Sequence, residues 1–377
     1  MTVWIVNPFD NLPSEGCRAQ RYFLMARAFA RSGAHVRLWS SDFSHARKAP
    51  RTLDGATERD GVAFTLIPTR PYAKNVSIAR LLSHRALART FTRLARARLA
   101  HETPNLVIAS APPLALATAA QEVARNVRAR FVCDIQDAWP ETFYRLLPRP
   151  LTFLGALLFG PLHRAARRLY RTADRVTGVS KRYAVLSGRD DFFLAYHGIE
   201  GDCTPHARTT KTRLVYIGNL GEGYVLEPIL AALTKRLDLT LDIAGLGPRL
   251  APLRKKVASL GLTARVTFHG YLDDEALRTL LAASDVGLVP MRDDSFVGLP
   301  YKICDYLLAG LSVLSSLHGE AGDLLRETGF GETYDLLSCD SFLAALDRLT
   351  CRPVTLPDAL KAETIYRDYV SFVTKGL

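Results

Sequence analysis

The chain lacks the usual marks of a metal centre or a disulfide scaffold. Its six cysteines (Cys17, Cys133, Cys203, Cys304, Cys339, Cys351) are scattered over 377 residues with no C-x-x-C pair. That argues against a zinc site and a disulfide framework, and for a reducing compartment. No cluster of residues stands at metal-ligand spacing, so no metal and no other cofactor is expected. The chain also lacks a charged start followed by an apolar stretch. Met1-Thr2-Val3-Trp4-Ile5-Val6 runs directly into a strand pattern, and no signal peptide is expected. The apolar segment from Leu146 to Phe159 is broken by proline and glycine, too short to span a bilayer. Acid is scarce in the first half. Residues 1–200 hold 30 lysines and arginines against 15 acids, a balance of +15, whereas the remainder hold 19 against 22, a balance of −3.

What is present belongs to a globular protein, with 48% apolar and 23% charged residues. A chain of 377 residues is too long for one ordinary core, so two domains are expected. Strand-type runs (Val3 to Asn7, His35 to Trp39, Val62 to Pro68, Asn105 to Ser110, Phe131 to Ile135, Arg175 to Val179) alternate with helical patterns at Cys17 to Ser32, Leu114 to Arg125 and from Ser180. A polar stretch, Gly198 to Arg213, reads as a linker. The alternation then restarts at Leu214. The expected architecture is α/β: two doubly wound Rossmann-like domains facing across a cleft, with ligands at the carboxyl ends of the strands. We place the first domain at 1–197, the linker at 198–212, the second domain at 213–355, and a C-terminal helix, 356–377, packing back on the first domain.

The richest stretch is Gly298-Leu299-Pro300-Tyr301-Lys302-Ile303-Cys304-Asp305-Tyr306-Leu307-Leu308-Ala309-Gly310. It follows the strand-type run Val286 to Val289 and precedes another, Ser312 to Ser315. Pro300 is predicted at the first helical position, where its missing N–H costs nothing. Lys302 then falls in the first turn and Asp305 one turn on, on roughly the same face. A strand, a turn and a helix N-terminus form an anion site. A lysine adds charge for a phosphate, and a carboxylate one turn deeper can accept hydrogen bonds from sugar hydroxyls. The layout suits a sugar nucleotide. The competing reading is a solvated lysine and aspartate on a helix face.

Over nearly its whole length the chain resembles the GT-B fold of nucleotide-sugar glycosyltransferases, and within it family 4 of the retaining enzymes, in the branch that builds bacterial surface polysaccharides. The phrases carrying the resemblance are Tyr216-Ile217-Gly218-Asn219-Leu220-Gly221, Gly245-Leu246-Gly247-Pro248, Val266-Thr267-Phe268-His269-Gly270 and Pro300 to Gly310, with Arg21-Tyr22-Phe23-Leu24 after a glycine loop at Gly16, and Asp137-Ala138-Trp139-Pro140, in the first half. The sequence departs from the family at Gly16-Cys17, where relatives carry a glycine pair, and at Val297, where many carry the first glutamate of a Glu-x7-Glu pair whose second member is here Asp305. It also departs at Asn219 and near Gly223-Tyr224, where many carry arginine and lysine, and at Gln136-Asp137, in place of His-Asp.

The resemblance implies a UDP-linked nucleotide-sugar donor and a lipid-linked or glycan acceptor, with transfer by retention. It implies donor contacts from Gly16, Gly218, Asn219, Gly221, Gly245, Gly247, Pro300, Lys302, Asp305 and Glu320. Lys302 would meet the diphosphate and Asp305 the ribose hydroxyls. Asp137 would orient or deprotonate the acceptor, with Lys302 the second catalytic candidate; a structural carboxylate is the alternative for Asp137. The carboxylate pair of retaining hydrolases has no evident match, which favours front-face substitution with the leaving diphosphate taking the acceptor proton.

Arg21, Arg164, Arg167 and Arg168 are expected at an acceptor or an anionic membrane surface, the last three following the apolar Leu151 to Phe159 segment. Ser77 to Arg98 is similarly basic. The alternative is core-facing helices with basic outer faces. No nucleic-acid partner is expected, and the protein is expected in the cytoplasm at the inner face of the membrane. The rival readings are a UDP-sugar 2-epimerase of the same fold and a non-catalytic binder of anionic polymer or membrane.

Overall fold

The computed structural model describes residues 1–15, 18–45, 47–53, 57–73, 77–147, 153–201, 203, 211–293, 296–350 and 355–377. Gly16, most of the expected linker and the end of the second expected domain lie outside them. The chain divides into two compact units: Met1–Gly198 with Ala362–Leu377, and Ile199–Lys361.

The first unit runs β1 (Thr2–Val6), α1 (Arg21–Arg31), β2 (His35–Ser41), β3 (Phe43–Ser44), β4 (Ala49–Pro50), β5 (Glu58–Arg59), β6 (Val62–Ile67), α2 (Ile78–Arg98), β7 (Leu106–Ala111), α3 (Leu114–Asn126), β8 (Arg130–Ile135), α4 (Gly155–Thr172), β9 (Arg175–Gly178), α5 (Lys181–Ser187) and β10 (Phe193–Leu194). The described residues form an eight-stranded sheet in the order β10-β9-β8-β7-β1-β2-β6-β5. It is parallel except for the short β5, which pairs antiparallel with β6. Val3 to Val6 and all of β7 are buried, as strands covered by helices on both faces must be. Ser180 caps α5 through its hydroxyl, as its position predicts. The helix expected from Cys17 begins instead at Arg21, with Gln20 at the cap. Residues 18–20 before it are not helical; Gln20 accepts a hydrogen bond from Asn11 N, and Asp10 accepts one from Tyr22 N.

The second unit runs β11 (Arg213–Ile217), α6 (Glu227–Lys235), β12 (Thr240–Ala244), α7 (Leu250–Ser259), β13 (Val266–Gly270), α8 (Asp274–Ala282), β14 (Val286–Val289), α9 (Tyr301–Leu308), β15 (Ser312–Ser315), α10 (Glu320–Thr328), β16 (Gly331–Thr333) and α11 (Cys339–Arg348). Among the described residues its sheet has six parallel strands in the order β13-β12-β11-β14-β15-β16. Strand order reverses at β11, which has β12 on one side and β14 on the other. The crevice at such a reversal is where open α/β sheets bind ligands.

The last helix, α12 (Ala362–Thr374), belongs to the first unit. Its Ile365, Tyr366, Tyr369 and Val373 share a core with Phe23, Phe29, Val36 and Ile108. Burying four side chains at about 1.5–3 kcal/mol each holds the chain end in place.

Candidate functional site

The loop after β11 and the start of α9 meet at the strand-order reversal of the second unit. Tyr306 brings them there. Its hydroxyl accepts a hydrogen bond from Ile217 N at 3.0 Å and lies 3.1 Å from Leu288 O, so one side chain ties α9 to both β11 and β14. Its ring occupies the space over Gly287, where a Cβ would fall 2.3 Å from it. Pro300 is the N-cap residue, one position before the helical position expected for it. Its extended backbone (ψ 140°) turns the chain into the helix, while its carbonyl accepts from Ile303 N.

Lys302 therefore lies in the first turn of α9, as predicted, but it is not a solvated lysine. It is 7% exposed. Its Nζ stands 4.2 Å from the centre of the Tyr216 ring and 3.9 Å from that of Tyr224. Among the described residues Nζ has no hydrogen-bond partner and no carboxylate within ion-pair distance. Burial holds the amine well below the usual lysine range, and no nearby charge shares in that shift. Burial also pushes the Tyr216 and Tyr224 phenols up.

The glycines of the resemblance are explained by packing. Gly218 has φ +117°, and a Cβ there would sit 3.4 Å from the Lys302 amine. A Cβ on Gly245 would lie 1.8 Å from Gly218 O, and one on Gly247 would lie 2.4 Å from Leu220 O. The loops after β11 and β12 thus touch backbone to backbone, joined by Gly218 N to Ala244 O and Leu220 N to Leu246 O. Gly218 and Asn219 are exposed at the rim, and Gly221 is half-buried. Asp305 is half-buried one turn after Lys302. Glu320 stands in the first turn of α10, beyond the carboxyl end of β15.

In the first unit the expectation for Arg21 is overturned. This arginine is fully buried, and it makes a two-pronged ion pair with Asp134 at 2.9 and 2.8 Å. Its remaining donors reach the carbonyls of Ala195 and Tyr196. Asp134 also accepts from Tyr22, Thr177 and Gln136 at 2.6 to 2.7 Å. Burial opposes the Asp134 charge, but Arg21 and these donors outweigh it and hold the carboxyl below its ordinary range. No acceptor or membrane reaches Arg21; it is a core arginine. The signal in the sequence was the single acid inside the apolar run Phe131-Val132-Cys133-Asp134-Ile135.

Asp137 is half-buried just past β8. Its carboxylate accepts the indole N–H of Trp139 at 3.2 Å. Beside it Arg80 stacks on the rings of Trp139, Phe9 and Tyr72. Burial, with Arg80 second, pushes both His45 and His84 down to about 3, so both imidazoles are neutral at physiological pH. Sequence reasoning missed this cationic and aromatic cluster, because its members come from five segments between Phe9 and Trp139. Arg164, Arg167 and Arg168 are exposed on α4. Phe153, Leu157 and Leu158, just before them, are 73%, 78% and 57% exposed. Among the described residues no helix is long and apolar enough to cross a membrane, and no group of three metal-ligating side chains is present.

These features fit what comparison with known proteins finds. Residues 211–350 match the protein-family model described as "Glycosyl transferases group 1". A 2-deoxystreptamine glucosyltransferase of Streptomyces kanamyceticus is 31% identical over 126 residues, which are 33% of this chain and 31% of that protein. The match thus spans about a third of that relative's length. Among solved structures, sucrose-phosphate synthase of Thermosynechococcus elongatus superposes with a TM-score of 0.69 at 14% identity, over 99% of this chain and 94% of that one. HepE of Anabaena, in complex with UDP and glucose, superposes with a TM-score of 0.64 at 14% identity, over 100% and 98%. The fold is therefore that of the GT-B glycosyltransferases along the whole chain. Within it, the region that matches the glycosyl transferases group 1 model makes up most of the second unit.

Proposed function

We propose that the protein is a retaining glycosyltransferase that moves a hexosyl or N-acetylhexosaminyl group from a UDP-linked donor to a glycan or polyprenyl-diphosphate-linked acceptor in surface-polysaccharide biosynthesis. The observation that carries this reading is the buried Lys302 amine, without a partner among the described residues, at the strand-order reversal of the region that matches the glycosyl transferases group 1 model. A buried amine carries its charge without a large cost only where a ligand supplies an anion. The donor diphosphate is that anion. Negative charge grows on it as the sugar leaves, and Lys302 together with the α9 N-terminus stabilises that charge. The departing oxygen then takes the acceptor proton, on the face where the new bond forms. Asp305 binds the ribose hydroxyls, Gly218 and Gly221 bring backbone close to the phosphates, and Asp137 orients the acceptor.

Incubation with a panel of sugar nucleotides and a lipid-linked glycan acceptor, with and without a chelator, tests the reading. The expected result is UDP release that requires acceptor and is unaffected by the chelator. Isomerised sugar nucleotide appearing without acceptor would identify an epimerase instead. A donor that binds the native state also raises the melting temperature.

The acceptor class is drawn from α4 and the residues just before it, where Phe153, Leu157 and Leu158 lie exposed near Arg164, Arg167 and Arg168. Apolar side chains can enter the acyl boundary while arginines meet anionic headgroups, each worth about 1 kcal/mol near the surface. The protein then works peripherally at the inner face of the membrane. It is expected to float with anionic vesicles at low salt. The triple variant Arg164→Glu, Arg167→Glu, Arg168→Glu is expected to stay in the soluble fraction, and equal flotation of the two would refute the assignment.

A further inference from the structure

We infer that Tyr216 and Tyr224 are positioning residues that hold Lys302 as an uncompensated amine, so that the anionic donor and one proton bind together. The inference rests on the reading of this site as a nucleotide-sugar site and concerns how that site is charged.

Lys302 is 93% buried by the complement of its 7% exposure, and its amine lies between two ring faces. A ring face attracts an ammonium only modestly. Removing an ammonium from water costs several kcal/mol. Two rings therefore orient the amine without making good its lost hydration. Among the described residues the other ionisable groups nearby do not supply the difference. Tyr216 on β11, Tyr224 in the loop after it and Tyr306 on α9 itself are phenols pushed up by burial and uncharged at neutral pH. Glu227 at the start of α6 and Glu222 in the preceding loop are both within ion-pair reach of Arg249, next to α7. Asp305 lies one turn further along α9 and contributes nothing to the shift of the lysine. The amine sits beneath Gly218, an exposed residue with no side chain. A phosphate arriving over Gly218 becomes a counter-ion that this lysine does not find among the described residues. The amine then takes one proton from solvent, becoming an ammonium paired to the phosphate oxygen, and no other bond changes.

The cage also accounts for Tyr224 standing near the place where many relatives carry a basic residue. In this chain an aromatic face replaces a second cation, and a single lysine meets the diphosphate.

Titration calorimetry with UDP on the full chain tests this, in two buffers of different ionisation enthalpy between pH 7.5 and 9. The phosphate's own second ionisation, near pH 6, lies below that window. The expected result is net proton uptake on UDP binding, with affinity falling as pH rises. Lys302→Arg, whose side chain stays charged, should bind with no uptake and no slope. Tyr224→Phe keeps the ring face and should retain both affinity and uptake. Tyr224→Leu removes the face and should weaken binding about tenfold. UDP binding without proton uptake overturns the inference, as does equal behaviour of the Phe and Leu variants. A folded protein that binds no UDP at any pH overturns instead the donor-site reading beneath it.

Discussion

Lys302→Met is expected to raise the melting temperature of the second unit while lowering sugar-transfer turnover by about 10²–10³-fold. Methionine nearly matches the length of the lysine stem and fills the space between Tyr216 and Tyr224 without an amine. The wild-type amine is buried and has no partner among the described residues, and relieving such a group is worth about 1–3 kcal/mol. For a unit of this size each kcal/mol shifts the midpoint by about 2–4 °C. Catalysis moves the other way. Removing one preorganised group that meets developing charge costs about 10²–10³ in rate. Scanning calorimetry and initial rates on the same preparation check both halves. A lower melting temperature, or turnover within tenfold of wild type, would show that the lysine is a structural strut. Opposed effects on stability and activity are the mark of a group kept for function.

The second large effect falls on the first unit, where two carboxyls, fully buried Asp134 and half-buried Asp10, pull in opposite directions. Asp134→Ala should destabilise this unit by about 3–5 kcal/mol, because it leaves the Arg21 guanidinium buried without its counter-ion. Asp10→Asn should stabilise it at neutral pH. Burial, offset in part by the Tyr22 amide and Arg21, raises the Asp10 carboxyl from 3.8 to about 6. Folding therefore favours its protonated form. That contribution is complete below about pH 4 and is lost as pH rises through 6. At 1.36 kcal/mol per pH unit, the loss by pH 7 is about 3 kcal/mol. Asparagine cannot ionise, and its carbonyl oxygen still accepts from Tyr22 N. Asp134 has the reverse sign: its carboxyl is held low, so its contribution is present at neutral pH and disappears as acid protonates it. Urea midpoints of wild type and Asp10→Asn should coincide near pH 4 and diverge as pH rises to 7. Parallel curves would refute the assignment.

Much of the site in the second unit was legible because it is local. Strand, turn, Pro300 and Lys302 are contiguous, and a helix first turn follows from them by backbone geometry alone. The glycines at 218, 245 and 247 were legible as close-approach positions. What they approach was not: the carbonyls of Gly218 and Leu220 lie 25 or more residues upstream of the two later glycines. Arg21 shows where local reading fails. In a chain half with 15 surplus positive charges, an arginine at a helix start looks like surface. Its partner, Asp134, is 113 residues away. Tyr224 was visible only as a residue out of place, near where relatives carry a basic side chain.

The sequence by itself determined the two doubly wound units, the order of their elements and the helix turn that carries Lys302. Periodicity and turn chemistry act between residues a few positions apart, and those contacts form in any context. Only the tertiary structure decided the charge state of the working groups. It put a lysine between two rings with no anion among the described residues, an arginine against an aspartate in the core of the first unit, and two histidines beside Arg80 where they stay neutral. Burial and long-range pairing set these states, and both depend on which distant segments the folded sheets bring together.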